Sequence, residues 1–125
     1  MIDRRELGAI FLGGAMGTLL RAGLLEAIGE GAPGWPWATF AVNMAGAFLL
    51  GSLVTALRPV SRQRPLWTTG FCGGLTTFST LQVELLKMLE AGRVWTALIY
   101  VGGSVVAGMA GVEAGVVLAR RPQAR

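Results

Sequence analysis

Four long apolar stretches dominate the sequence and constrain what it can fold into. They cover about residues 7–29, 38–57, 66–89 and 94–119 of the 125-residue chain. A helix needs about 20 mostly apolar residues to cross the hydrocarbon of a bilayer. Only 14% of the residues are charged, which is well below the share found in soluble domains. The sequence therefore predicts an all-α membrane protein whose four transmembrane helices form a single domain over residues 1–125.

Small residues recur at every fourth position within three of these stretches, so that each series lies on one face of a helix. The series are Ala9, Gly13 and Gly17; Ala47 and Gly51; and Gly103, Ala107, Gly111 and Gly115. Helices in lipid associate through close van der Waals packing, which small side chains permit. The pattern predicts a tightly packed bundle.

The third stretch contains glycines followed by hydroxyl residues where the middle of the membrane is expected. It reads Gly-Gly-Leu-Thr-Thr-Phe-Ser-Thr over residues 73–80. Glycine offers little resistance to unwinding, so we predict a break in this helix. Non-helical backbone at membrane depth is tolerated only inside protein or beside a water-filled cavity. The predicted break therefore indicates a ligand or ion pathway.

Polar residues within the apolar stretches mostly offer hydrogen-bond donors. Asn43, Tyr100 and Ser104 carry amide or hydroxyl groups, and Arg21 carries a fixed positive charge. Such donors suit a small anion, although each residue alone also fits ordinary helix packing or a side chain reaching the membrane surface. With no histidine and one cysteine, the sequence excludes an internal disulfide and a Cys/His zinc site, and it predicts no enzyme.

Basic residues are distributed unequally between the two predicted membrane sides. One side carries Arg4, Arg5, Arg58, Arg62, Arg64, Arg120, Arg121 and Arg125, and the other carries Arg21, Lys87 and Arg93. Loops rich in lysine and arginine tend to stay in the cytoplasm. This bias predicts that both ends of the chain lie in the cytoplasm.

Three motifs resemble the CrcB/Fluc fluoride channel family. They are Gly-x-x-x-Gly-Thr-Leu-Leu-Arg ending at Arg21, Thr-Phe-Ala-Val-Asn ending at Asn43, and the run from Gly70 to Thr80. The resemblance implies an antiparallel, dual-topology dimer in the inner (plasma) membrane. Such a dimer exports fluoride from the cytoplasm down its electrochemical gradient and relieves fluoride toxicity.

The resemblance also implies which residues bind each ion. Fluoride would pass residues that come from all four stretches. They are Arg21, Asn43, Phe78, Ser79, Thr80, Tyr100 and Ser104. A structural sodium ion at the dimer centre would be held by the backbone carbonyls of Gly73 and Thr76 from each subunit. Sodium is a hard cation, and hard cations prefer oxygen ligands.

The chain departs from the family pattern at three positions. Leu81 replaces a second pore phenylalanine, and Gly108 and Val112 replace polar residues that would continue the track beyond Ser104. A dual-topology homodimer should also show little charge bias. The partner is therefore either an identical chain or a homologous chain that supplies the missing groups. The remaining alternatives are a non-conducting partner subunit and a proton-coupled small multidrug-type transporter, for which Glu26 and Glu113 are poorly placed.

Overall fold

The computed structural model describes residues 3–29 and 34–120, and these residues form five helices. They are α1 (Arg4–Ile28), α2 (Trp37–Ala56), α3, α4 (Ser79–Glu90) and α5 (Val94–Ala119). Helix α3 consists of a π-helical segment, Leu66–Cys72, followed by one α-helical turn, Gly73–Leu75. The predicted all-α fold is confirmed over this part of the chain. The first helix begins three residues earlier than the apolar pattern predicts.

Three of the described helices, α1, α2 and α5, are long and apolar enough to cross a membrane. Their outer faces carry large exposed hydrophobic side chains, which include Phe11, Leu19, Val106 and Met109. An apolar exterior of this kind is suited to lipid rather than to water. Helices α3 and α4 are each shorter than the span of about 20 residues that a single crossing requires.

Helix α1 packs against α3 so closely that glycine is needed on both helices. A Cβ atom added to Gly13 would overlap the carbonyl oxygen of Leu66, and one added to Gly17 would overlap that of Phe71. On the other side, a Cβ on Gly70 would lie 2.7 Å from the Ile10 carbonyl oxygen. The two backbones are therefore in direct contact, as the small-residue series in α1 predicts.

Helix α2 packs against α5 in the same manner, and the two helices share an extensive contact. A Cβ on Gly51 would overlap the Val112 carbonyl oxygen, and one on Gly115 would overlap that of Phe48. The small residues Ala47 and Gly111 also face each other across this contact. The prediction of tight packing is confirmed for both helix pairs.

The loops gather at two opposite ends of the bundle. At one end, residues Asp3, Arg5 and Glu6 lie beside the loop that joins α2 to α3, and we call this the Arg64 end. At the other end, an Arg93 Nη2 group donates a hydrogen bond to the Gly34 carbonyl. We call this the Arg93 end. The arrangement agrees with the side assignments on which the predicted charge bias depends.

Candidate functional site

A three-residue non-helical segment, residues 76–78, separates α3 from α4. Thr76 has an extended backbone, with φ −82° and ψ 154°. The glycines of the run predict unwinding at residues 73 and 74, yet Gly73 and Gly74 are helical. At Gly74 the absence of a side chain permits close packing, because a Cβ there would overlap the Gly14 carbonyl of α1. Here glycine serves close contact rather than unwinding.

Asn43 of α2 binds the backbone of Thr77 in the middle of this segment. The Thr77 N–H donates to Asn43 Oδ1 at 2.7 Å, and Asn43 Nδ2 donates to the Thr77 carbonyl at 3.1 Å. A peptide N–H can only donate and a carbonyl can only accept, so this pairing fixes the orientation of the amide. One Nδ2 hydrogen is left over for another acceptor, as the predicted fluoride contact requires.

Two backbone N–H groups at this segment do not bond to the carbonyls that they would reach in an α-helix. In an α-helix the N–H of Thr77 would bond to Gly73, and that of Thr80 to Thr76. Instead the Thr77 N–H binds Asn43, and the Thr80 N–H donates to Thr77 Oγ1 at 3.2 Å. The carbonyls of Gly73 and Thr76 therefore lack these helical donors. They are the two oxygens that the family resemblance assigns to sodium, and their chemistry fits a hard cation.

Arg21 of α1 lies against the end of α3. Its Nε donates a hydrogen bond of 3.0 Å to the Gly74 carbonyl, one of the last carbonyls of that helix. The negative end of a helix favours a cation at this position. The structure thus gives Arg21 a contact that the sequence does not predict, while its predicted role in attracting anions stays a prediction.

Glu84 of α4 joins three helices through its two carboxyl oxygens. Thr39 of α2 donates its hydroxyl to Oε1, and Tyr100 of α5 donates its hydroxyl to Oε2, each at 2.6 Å. Tyr100 is fully buried, and Trp35 packs against it edge to face at 5.1 Å between ring centroids. Tyr100, a predicted pore residue, therefore directs its hydroxyl to Glu84 in this chain.

The remaining predicted pore residues differ in exposure. The Phe78 side chain is 70% exposed, so it does not belong to the core of its own chain. Thr80 and exposed Ser79 lie near Thr77, whose hydroxyl donates to Thr80 Oγ1 at 3.0 Å. Ser104 Oγ is buried, and it has no hydrogen-bond partner in the part of the chain that the structure describes.

Two cavities are lined in part by residues at or next to the segment 76–78. Cavity 1, of about 600 Å³, faces the Arg93 end, and Thr39, Thr80 and Glu84 line it. Cavity 2, of about 770 Å³, lies between α2, α3 and α5, and Thr76 and Ser104 line it. Thr80 and Thr76 thus border different cavities.

The departures from the family pattern are all packed within this chain. Leu81 is buried in a cluster with Met88, Ala97 and Tyr100. Val112 supplies the carbonyl that contacts Gly51, and both Gly108 and Val112 line cavity 2. Cavity 2 therefore has an apolar surface along the part of α5 where the family pattern would place hydroxyls.

The predicted pore and sodium residues do not include Thr39, Thr77 or Glu84. Thr77 lies inside the hydroxyl run, but its role depends on Asn43, which is 34 residues away. Thr39 lies one turn before Asn43 on α2, and Glu84 lies one turn after Thr80 on α4. This spacing places Thr39 on the same helix face as Asn43, and Glu84 on the same face as Thr80. It does not show which helix faces contact each other.

A family model covers the whole site. The family model described as CrcB-like protein, Camphor Resistance (CrcB), matches residues 8–116, which include every predicted site residue. The chain belongs to the CrcB-like family. Its fold of long apolar helices makes it a multi-pass membrane protein.

Individual CrcB-like relatives match over almost their full length. The chain is 51% identical to "Fluoride-specific ion channel FluC 1" of Mycolicibacterium paratuberculosis, covering 98% of this chain and 96% of that protein. It is 47% identical to the protein of the same name from Mycobacterium tuberculosis, with the same coverage. It is 40% identical to "Fluoride-specific ion channel FluC" of Methanopyrus kandleri, covering 94% of this chain and 92% of the other.

Proposed function

We propose that this chain is a subunit of a fluoride channel that lets fluoride leave the cytoplasm through the inner (plasma) membrane and so relieves fluoride toxicity. The observation that carries the proposal is the agreement between the relatives' names and the site. Full-length relatives are fluoride-specific ion channels, and the motif residues meet around one break between two cavities. Because the named relatives are channels, we propose no enzymatic activity.

In this proposal α3 and α4 are the two halves of one interrupted membrane span. Neither helix is long enough to cross alone, and residues 76–78 join them. Backbone N–H and C=O groups of residues 76–78 that lack helical hydrogen bonds would be costly in lipid, so this segment must lie beside protein or a water-filled cavity. The clasp from Asn43 and the two cavities supply such surroundings.

Fluoride binding is assigned to neutral donors near the break. Dehydrating a small anion requires compensating hydrogen bonds, and Asn43, Ser79, Thr80 and Ser104 offer them. Positive ring edges of Phe78 would add weak contacts, since an aromatic ring is electropositive at its rim. Weak neutral sites allow an ion to leave as well as to enter.

The channel is proposed to be an antiparallel dimer. Phe78 is exposed on the single chain, which supports a second subunit covering it. The carbonyls of Gly73 and Thr76 from both subunits would hold a structural sodium ion, which would fix the two breaks against each other. The partner is an identical chain or a homologous one, and the excess of arginine at the Arg64 end supports the homologous partner.

The test is fluoride efflux from liposomes, measured with a fluoride electrode after a potassium ionophore is added. The chain is reconstituted alone and, separately, with a co-expressed CrcB-like homologue from the same organism. We expect rapid efflux from at least one of these preparations. Efflux only from the mixed preparation identifies a heterodimer. No efflux from either preparation would refute the proposed function.

Two substitutions test the pore assignment in the active preparation. Asn43→Ala removes both hydrogen bonds to Thr77 and the predicted fluoride donor. We expect this to raise the free-energy barrier to fluoride passage by about 3 kcal/mol, which corresponds to at least about 100-fold slower efflux. Phe78→Ala removes the aromatic edge and should slow efflux about 10-fold. Exposed Phe11 lies on α1, away from the break, so Phe11→Ala is the matched control. Unchanged efflux in both pore variants would contradict the assignment.

A further inference from the structure

Cavity 2 has an unusual charge composition. Its lining includes hydroxyls from Thr68, Thr69, Thr76 and Ser104, and its only charged residue among those described is Arg64. Cavity 1 differs, because two acidic residues and two basic residues line it: Glu26, Glu84, Lys87 and Arg93. Among the described residues, the lining of cavity 2 therefore carries a single positive charge and no negative charge.

Arg64 is held in place at the end of cavity 2. Its Nη1 donates a hydrogen bond of 3.1 Å to the carbonyl of Leu57, which caps the end of α2. Its own carbonyl accepts the Thr68 hydroxyl at 2.7 Å. A guanidinium has five N–H donors, so the bond to Leu57 leaves others available. The side chain is half-buried, unlike exposed Arg58 and Arg62 in the same loop.

A fixed charge at the rim of a low-dielectric cavity concentrates ions of opposite sign. Such walls focus the field and raise local anion concentration, and the effect weakens as salt screens it. The lining of the cavity also includes Ser104, whose buried Oγ has no hydrogen-bond partner among the described residues. The charge and the unused hydroxyl thus point to the same class of ligand.

We infer that Arg64 is a steering residue that draws fluoride into cavity 2 from the Arg64 end of the bundle. This inference rests on the proposed fluoride-channel function and adds to it an entrance that the family motifs do not include. Arg64 acts through its charge at a distance, and no bond to the dehydrated ion is required. The hydrogen bond from Arg64 Nη1 to the Leu57 carbonyl holds this charge at the end of cavity 2.

The experiment compares fluoride efflux of the active preparation with that of Arg64→Gln, Arg64→Lys and Arg62→Gln at two ionic strengths. The salt added is the potassium salt of a large organic anion that does not permeate. Arg62→Gln is the matched control, since it removes the same charge from the same loop but faces a pocket that Asp3 and Glu6 also line.

At about 0.05 M salt we expect Arg64→Gln to slow efflux about 5-fold, and at about 0.5 M salt less than 2-fold, because the screening length then falls to a few ångströms. Arg64→Lys should stay within about 2-fold of the unmutated protein at both salt concentrations, since it keeps the charge. The control should change efflux less than about 2-fold at either concentration.

Three outcomes would overturn the inference. A deficit in Arg64→Gln that is the same at both salt concentrations would mean fewer folded channels rather than lost steering. A deficit that Arg64→Lys shares would point to the Leu57 bond alone. Unchanged efflux in Arg64→Gln would exclude any role. In each case the unmutated protein still conducts fluoride, so the proposed function stands; absence of fluoride efflux from the unmutated protein would refute both.

Discussion

Helices α3 and α4 lie on either side of the same three-residue segment but are held in different ways. Helix α3 rests backbone against backbone on α1, through Gly17 and Gly70. Helix α4 is held mainly by side chains, with Glu84 accepting hydroxyls from α2 and α5 and Leu81 packed in a small cluster. One helix is fixed by shape, and the other by polar contacts.

This difference indicates which of the two helices can shift its position. Repulsion between backbone atoms rises steeply as they approach, so two helices in direct backbone contact have little freedom to change their separation. Hydrogen bonds from long side chains tolerate small rotations of the helix that carries them. We therefore regard α3 as the fixed wall of cavity 2 and α4 as the adjustable wall of cavity 1.

The largest expected effect comes from breaking the α1–α3 contact with Gly17→Val. The added side chain would collide with the Phe71 carbonyl, so the two helices must separate. We expect a destabilisation of about 3 kcal/mol or more, seen as loss of monodisperse protein on heating in detergent. The matched control is Gly23→Val, also in α1, because no atom lies within 4 Å of a Cβ there. Equal stability of the two variants would show that the contact does not fix α3.

An intermediate effect is expected from Glu84→Gln, which alters the polar attachment of α4. The amide keeps one acceptor oxygen, so one of the hydroxyls of Thr39 and Tyr100 loses its acceptor. We expect a loss of about 1–2 kcal/mol in the thermal stability assay and roughly 10-fold slower fluoride efflux. Glu90→Gln, at the exposed end of α4, should change neither quantity. Stability as poor as that of Gly17→Val would show that α4 is as rigidly fixed as α3.

The smallest effect is expected from Ser104→Ala beside the fixed wall. Its buried hydroxyl has no partner among the described residues, so removing it should raise stability by up to about 1 kcal/mol. Efflux should fall about 3-fold if that hydroxyl serves fluoride. Ser52→Ala is the control, since Ser52 donates to the Phe48 carbonyl at 2.9 Å and its loss should lower stability instead. Faster or unchanged efflux in Ser104→Ala would remove this residue from the path.

Much of the architecture could be predicted because length and apolarity determine where a chain can cross a bilayer. The described helices begin and end within three residues of the four apolar stretches, although the third stretch forms two helices, and the small-residue series predicts the contacts of Gly13, Gly17, Gly51 and Gly115. These properties are local or periodic, so they can be read along one helix.

The details of the break could not be predicted, because they depend on pairs of residues far apart in the chain. Gly74 lies directly against the Gly14 carbonyl of α1, and both backbone groups of Thr77 bond to the side chain of Asn43. Glu84 is satisfied by hydroxyls 45 and 16 residues away. The spacing along each helix gives the face of each residue, but not which faces meet.

The central claim is tested most directly by electrical recording from the active preparation in a planar bilayer, with a fluoride gradient and equal pH on both sides. The account predicts a current that reverses at the equilibrium potential of fluoride and that Asn43→Ala nearly abolishes. A protein that carries no current without a proton gradient, or whose current reverses at the potential of another ion, would contradict it.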